Sequence, residues 1–200
     1  MTSFEIKIKR GIDLTAGSLG LLALAPLLST IALAIRLDSR GPALFRQKRL
    51  GLNGMQFEIF KFRTMHHSAA VAIDDSGNVV NRANDARHTR VGRLLRRYSL
   101  DEFPQLINVV HGEMSLVGPR PDLPEALNFY THQQQDRLLV KPGITGLAQV
   151  RGRNALSPSQ KWALDAEYAR TSSLKLDAWI LAKTLRGVVS PSGIYKGDPP

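Results

Sequence analysis

Cysteine is absent from this 200-residue chain. That excludes disulfides and thiolate zinc sites, and it is compatible with a reducing compartment. Acidic residues are the next shortage: 17 Asp and Glu stand against 27 Lys and Arg, a formal net charge of +10. A chain this basic is drawn to something acidic, whether nucleic acid, anionic lipid or a phosphorylated substrate. Aromatic residues make up only 6%, and no recognised nucleic-acid-binding motif occurs, which weighs against a nucleic-acid module. Internal repeats are lacking, as are Walker and Rossmann glycine spacings. The histidines at 66, 67, 88, 111 and 132 form no helical ligand pair and read as surface or supporting groups. Apolar residues, by contrast, reach 43%, enough for a core and too many for a disordered chain. The length suits one domain with an appended segment.

That segment lies near the N-terminus. From Leu14 to Ile35 there are 22 residues without a charge. As a straight helix they would extend about 33 Å, the thickness of a hydrocarbon core. A cleaved signal peptide would have a shorter apolar region and a small-residue cleavage site, so the run is read as retained. Lys7, Lys9 and Arg10 precede it, and Arg36, Arg40, Arg46, Lys48 and Arg49 follow it. Both flanks therefore compete for the cytoplasmic side. Pro26, in the middle, removes a backbone donor and clashes with the preceding turn. These features leave two topologies open, a kinked spanning anchor and a segment that re-enters the same leaflet.

Beyond it, Asp38-Ser39-Arg40-Gly41-Pro42 reads as a turn leading into a basic stretch that ends at residue 50. Phe57 to Phe62 alternates like a half-buried strand. Residues 66–88, with Asp74-Asp75-Ser76-Gly77-Asn78, read as a long loop or hairpin. The spacing predicts helices over 89–98, 100–110, 124–139, 158–171 and 174–189. The last carries Leu174, Ala178, Leu181, Leu185 and Val188 on one stripe with Lys175, Lys183 and Arg186 opposite. Trp179 beside those cations suits a membrane interface. The tail after Ser190 reads as loose.

Chemistry concentrates at a few points. Ser99-Leu100-Asp101-Glu102 has the form of a capping box, with Ser99 as N-cap and Glu102 reaching back. Pro104 lies past the preferred first helical position, which makes this an irregular helix start. Arg93, Arg96 and Arg97 add a positive field that favours ionised acids and attracts phosphate. In Gly118-Pro119-Arg120-Pro121 an arginine sits between two prolines, stiff enough to clamp an anion at small entropic cost. A rigid surface turn with a solvated arginine fits the same residues. Lys141 to Arg153 mixes Gly143, Gly146 and Gly152 with Gln149, Arg151 and Arg153, a composition suited to phosphate contact but without a diagnostic spacing.

Taken together and in order, five motifs are distinctive. They are Lys9-Arg10-Gly11-Ile12-Asp13 before the apolar run; Gly41-Pro42-Ala43-Leu44-Phe45-Arg46-Gln47 with Arg49-Leu50-Gly51; and Phe60-Lys61-Phe62-Arg63-Thr64-Met65. The fourth is Ser99-Leu100-Asp101-Glu102-Phe103-Pro104-Gln105-Leu106-Ile107-Asn108-Val109, continuing through Gly112-Glu113-Met114-Ser115-Leu116-Val117 to Pro121. The fifth is Lys141-Pro142-Gly143-Ile144-Thr145-Gly146 with Gln149-Val150 and Gly152-Arg153. The chain resembles the bacterial sugar transferase family, the monotopic phosphoglycosyl transferases that initiate glycoconjugate synthesis, and in particular its small members.

The resemblance implies an α+β fold, mostly helical. Residues 1–36 would form a re-entrant membrane helix kinked at Pro26, here with Ala25 where the best-known members have serine. Residues 37–200 would form a catalytic domain with a short β element and interfacial amphipathic helices, on the cytoplasmic face of the bacterial inner membrane. It implies that Asp101 attacks the β-phosphate of a UDP-sugar, that UMP leaves, and that polyprenyl phosphate takes the phosphosugar from the aspartate. Glu102 matches the family's Mg²⁺ ligand, Arg120 its phosphate-binding arginine and Arg96 a second basic residue. Lys61, Arg63, Pro119, Pro121, Gln149 and Arg153 are further substrate contacts on this reading. Expected partners are the UDP-sugar, polyprenyl phosphate and anionic lipids, without nucleic acid; oligomeric state stays open, a homodimer included. The identity of the sugar is not readable. The rivals are a nucleic-acid module and a non-catalytic membrane scaffold, and neither calls for two acids beside an arginine cluster.

Overall fold

The computed structural model describes residues 1–66, 85–152 and 155–189. Helix α1 (Ser3–Asp38) starts at a capping box made by Thr2 and Glu5 and runs unbroken through Pro26. The Thr30 hydroxyl donates to the Pro26 carbonyl at 2.9 Å. Only Asp13, Gly17, Ile31 and Ile35 are buried along it, while Leu19, Leu22, Leu33 and Leu37 are wide open. It is long and apolar enough to cross a membrane.

Both ends of α1 are tied to the same domain. At the N-terminal end Lys9 Nζ donates to the Val117 carbonyl at 2.9 Å and pairs with Asp177 at 2.5 Å. Arg10 donates to the carbonyls of Val109 and Val110, and Asp13 accepts from the Leu116 amide at 3.0 Å. At the other end Asp38 accepts from the Val91 amide at 3.0 Å. Arg63 donates to the carbonyls of Ile35, Ser39, Arg40 and Gly41, at and just beyond the end of the helix.

Strands β1 (Leu44–Leu50) and β2 (Gln56–Phe62) form an antiparallel hairpin, with Arg46 opposite Phe60 and Arg49 opposite Phe57. The expected basic stretch is thus a strand; its charges hide the alternation, and the ladder to β2 supplies the order. Asn53 and Gly54 turn the hairpin with positive φ. Met65 bridges His88, and the turn expected within 67–84 lies outside the described residues. Helix α2 (Arg90–Arg97) is N-capped by Thr89 and packs Leu95 with Ile31, Ile35 and Phe62. Gly92 permits the approach, because a Cβ there would meet the Thr64 carbonyl at 2.0 Å.

The helix expected over 100–110 is two pieces. A 3₁₀ turn covers Leu100–Glu102, and helix α3 (Gln105–His111) begins after Pro104, which satisfies proline's need to sit at a helix start. Buried Asn108 on α3 accepts from the Phe60 amide and donates to the Glu58 carbonyl and Glu113, stitching α3 to β2. Strands β3 (Ser115–Val117) and β4 (Gly143–Thr145) pair in parallel.

The helix expected over 124–139 is not formed. Two 3₁₀ segments, Pro124–Phe129 and Gln134–Leu139, flank extended Tyr130, because Tyr130 and Arg137 are drawn inward to Asp122. Helices α4 (Leu147–Arg151), α5 (Pro158–Thr171) and α6 (Leu174–Val189) complete the fold. Helices α5 and α6 match their expected bounds. The face that α6 buries differs from its expected stripe: Asp177 and Ile180 are buried, whereas Ala178 is exposed and Leu185 is 68% exposed. The ion pair to Lys9 and the bond from the Tyr168 hydroxyl to Asp177 set that rotation. Val188 and the tail after Ser190 lie outside the side chains described.

Candidate active site

The chain reverses sharply at Ser99, whose φ of 55° lies in the left-handed region. Its side chain caps nothing, so the capping box expected here does not form. Non-glycine residues pay roughly 1–2 kcal/mol for this conformation, and such strain gathers at functional turns. The turn swings Asp101 and Glu102 toward β2 and the loop after β3. Glu102 is engaged from two sides. Lys61 Nζ from β2 lies 3.1 Å from its Oε1. Arg120 closes a two-pronged clamp, with Nη2 at 2.5 Å from Oε1 and Nη1 at 3.2 Å from Oε2. The Glu102 and Lys61 side chains are 17% exposed, and that of Arg120 is 46% exposed. The arginine thus joins a half-buried site to solvent.

The two carboxyls are driven apart. Burial pushes Asp101 up, and the neighbouring Glu102 charge adds to it, against Lys61, Arg96 and Arg120. Burial would raise Glu102 as well, but the charges and hydrogen bonds of Arg120 and Lys61 prevail and hold it well below the usual carboxylate range. Lys61 is lowered by burial, with Glu102 opposing. The pattern suits one carboxyl that stays ionised and one that responds to whatever charge arrives.

Arg120 sits on a loop whose backbone is fixed at every step. The Pro119 carbonyl accepts from the Gly143 amide at 2.8 Å and the Asp122 carbonyl from the Leu50 amide at 2.9 Å. Between them, the Arg120 carbonyl accepts from Arg137 at 2.6 Å and that of Pro121 from Arg49 at 3.3 Å. Behind the loop, Asp122 Oδ2 accepts from Arg137, the Tyr130 hydroxyl and the Trp162 indole, at 2.7, 2.8 and 2.7 Å. Arg137 also pairs with Asp165 at 2.7 Å, deep in the protein. Burial lifts Asp165 to about 6 despite Arg137. Sequence reasoning missed this knot: its members fall in four separate segments with no shared period. Only Asp122, directly after Pro121, stood near a motif.

Of the residues expected at the site, Asp101, Glu102, Lys61, Arg120 and the charge of Arg96 come together. Pro119 and Pro121 hold the loop through their carbonyls. Arg63 does not join them; it is buried against the end of α1. Gln149 packs beside β4, donating to the Ile144 carbonyl at 3.3 Å with its Oε1 buried and unbonded. Arg153 lies outside the described residues. Arg49 is a newcomer, half-buried beside Arg120. Among the described residues no three His, Asp or Glu converge as a metal cage. Mg²⁺ needs less: it is commonly held by one or two carboxylates together with phosphate and water. Adjacent Asp101 and Glu102 have the right donor chemistry, and an added cation would counter the burial and the repulsion that lift Asp101.

The sequence profile of the bacterial sugar transferases matches residues 4–191. An undecaprenyl-phosphate glucose phosphotransferase of Komagataeibacter xylinus is 44% identical over 197 residues, covering 93% of this chain and 36% of that protein. The UDP-glucose:undecaprenyl-phosphate glucose-1-phosphate transferase of Caulobacter vibrioides is 43% identical over 196 residues, 94% of this chain and 72% of the other. An uncharacterized sugar transferase of Bacillus subtilis, EpsL, is 43% identical over 189 residues, 94% and 91% of the two lengths. The chain thus corresponds to a minor part of the first relative and to most of the other two. The acidic dyad, its clamp and nearly all of α1 fall within a match that runs almost end to end, and on that ground this chain belongs to the bacterial sugar transferase family.

Proposed function

We propose that this protein transfers a phosphosugar from a UDP-sugar to undecaprenyl phosphate, giving undecaprenyl diphosphosugar and UMP and so initiating synthesis of a polysaccharide or glycoprotein glycan. The carrying observation is the pairing of a responsive carboxyl, Asp101, with a clamped carboxylate, Glu102, inside a cluster of cations. Asp101 Oδ attacks the β-phosphorus. The new P–O bond forms as the bond to the UMP oxygen breaks, and the electron pair leaves with UMP. An oxygen of undecaprenyl phosphate then attacks the same phosphorus and frees the aspartate. Arg120 holds phosphate oxygens, with Lys61 and Arg96 contributing charge. Glu102, with Asp101 beside it, would hold Mg²⁺, which neutralises phosphate charge when bound. The relatives named for UDP-glucose make glucose the first sugar to test.

On this reading residues 1–36 form a re-entrant helix, and residues 37–200 a catalytic domain on the cytoplasmic face of the inner membrane. Support comes from the ties at both ends of α1 to one domain, which a spanning helix would have to break at one end. The exposed apolar surface of α1, and Trp179 with Lys183 over its ring, suit insertion beside anionic lipids. This reading involves no nucleic acid and is compatible with a homodimer.

The test is UMP release by the full chain with UDP-glucose, undecaprenyl phosphate and Mg²⁺, run beside UDP-galactose and UDP-acetamido sugars. Asp101→Asn should lower the rate by about 10³-fold or more. Without acceptor, the wild type should release UMP in a single burst and retain labelled sugar phosphate on the protein. An Asp101→Asn protein turning over at the normal rate would refute the mechanism.

A further inference from the structure

Arg49 is a basic side chain at the site that the mechanism above does not use. It lies on β1, a strand away from Lys61, and reaches the Pro121 carbonyl, next to the Arg120 carbonyl that Arg137 holds. Its Nη1 donates to the Pro121 carbonyl at 3.3 Å and its Nη2 to Gln47 Oε1 at 2.6 Å. Both acceptors are neutral. Its Nε is buried and has no partner. A guanidinium carries five N–H donors, so most of its donor capacity is uncommitted. No carboxylate reaches it within ion-pair distance among the described residues.

The nearby acids are already taken. Glu102 is held by Lys61 and Arg120, and Asp122 by Arg137, Tyr130 and Trp162. Glu125 is exposed and, like those two, acts on Arg49 only through space. The guanidinium of Arg120, meanwhile, is close enough to repel it. Burial and that repulsion push Arg49 down to about 10. An unpaired guanidinium beside another is costly unless a negative charge offsets it. Arg49, Lys61, Arg96 and Arg120 act on this site, where Asp122 and Glu125 join Asp101 and Glu102. The four acids are held by other partners or stand out of ion-pair reach, so the free donors of Arg49 are left for an incoming anion.

The geometry points to Arg49 as a second diphosphate-binding residue, flanking Arg120 so that the two guanidiniums grip the phosphates of the nucleotide-sugar from adjacent strand and loop. This rests on the nucleotide-sugar reading above and deepens it. It also explains why Arg49 donates to the Pro121 carbonyl: the contact sets both arginines in one frame.

The experiment is equilibrium binding of uridine, UMP, UDP and inorganic pyrophosphate to the full-length wild type, Arg49→Met and Arg49→Lys, with melting curves for each. Arg49→Met should weaken UDP and pyrophosphate by about 10- to 100-fold while leaving uridine within about twofold, and Arg49→Lys should restore part of the loss. Wild-type affinity for UDP in Arg49→Met would overturn the assignment. So would an equal loss for uridine and UDP with a lowered melting temperature, the mark of a loop strut alone. If wild type takes pyrophosphate in an Arg49-dependent way but gains nothing from uridine, the nucleotide reading fails and the Arg49 assignment stands.

Discussion

At the scale of single residues, Asp101 and Glu102 are neighbours in sequence with opposite titration behaviour. Asp101 is raised by burial and by Glu102, whereas Glu102 is held down by Arg120 and Lys61. On the proposed mechanism, attack on phosphorus requires Asp101 without its proton. As pH falls through a raised pKa the ionised fraction falls, so the acid limb of kcat/KM should lie above the ordinary aspartate value of about 3.9. A cation beside the dyad favours ionisation, so the limb should move to lower pH as Mg²⁺ is raised. A pH–rate series at low and saturating Mg²⁺ checks both statements; a limb at or below the ordinary value in low Mg²⁺ contradicts the first. Ser99 teaches a related lesson. Ser-x-x-Glu spells a capping box, yet Lys61 and Arg120 arrive from distant segments and claim Glu102, and charge-assisted pairs outweigh a cap of about 1 kcal/mol.

Among the elements, the Pro119–Arg120–Pro121 loop owes its stiffness less to proline than to four carbonyls in a row accepting from Gly143, Arg137, Arg49 and Leu50. Arg137 is the centre, touching Asp122, Asp165, Tyr130 and the Arg120 carbonyl while only 3% exposed. Removing it strands Asp165 in the interior and takes the cation from half-buried Asp122. Arg137→Met should therefore destabilise the protein by roughly 3–5 kcal/mol, read by denaturant unfolding, and should lower turnover by loosening Arg120. Adding Asp165→Asn should recover part of the stability by removing one stranded charge. Additive losses from the two changes would argue against the knot. The same knot explains the absence of a helix over 124–139. In a regular helix their Cα atoms would stand about 10 Å apart along the axis, whereas a single Asp122 oxygen accepts from both.

For the whole molecule, the question is where α1 lies. Its length would span a bilayer, but Lys9, Arg10 and Asp13 at one end and Asp38 at the other bond to the same domain. The cysteine-free sequence allows a direct test. Ser3→Cys and Arg40→Cys, made singly, should both react with a membrane-impermeant maleimide in inside-out vesicles and neither in right-side-out cells. Labelling of the two positions from opposite sides would establish a spanning helix. A net charge of +10 also favours contact with an anionic surface, weakening as salt screens it.

The sequence by itself determined what depends on neighbours along the chain. It carried the apolar run, the strand at 56–62 and the helices at 90–97, 158–171 and 174–189, because local periodicity and caps are enough to specify them. It also carried the acidic dyad and the Pro-Arg-Pro loop as motifs. Tertiary structure alone decided which charges meet. Arg63 went to the carbonyls at the end of α1, Glu102 to Lys61 and Arg120, Asp177 to Lys9, and Arg49 to the Pro121 carbonyl. The reason is physical: a long cationic side chain finds its partner by distance in space, and a buried charge must be answered wherever the fold leaves it, which no spacing along the chain encodes.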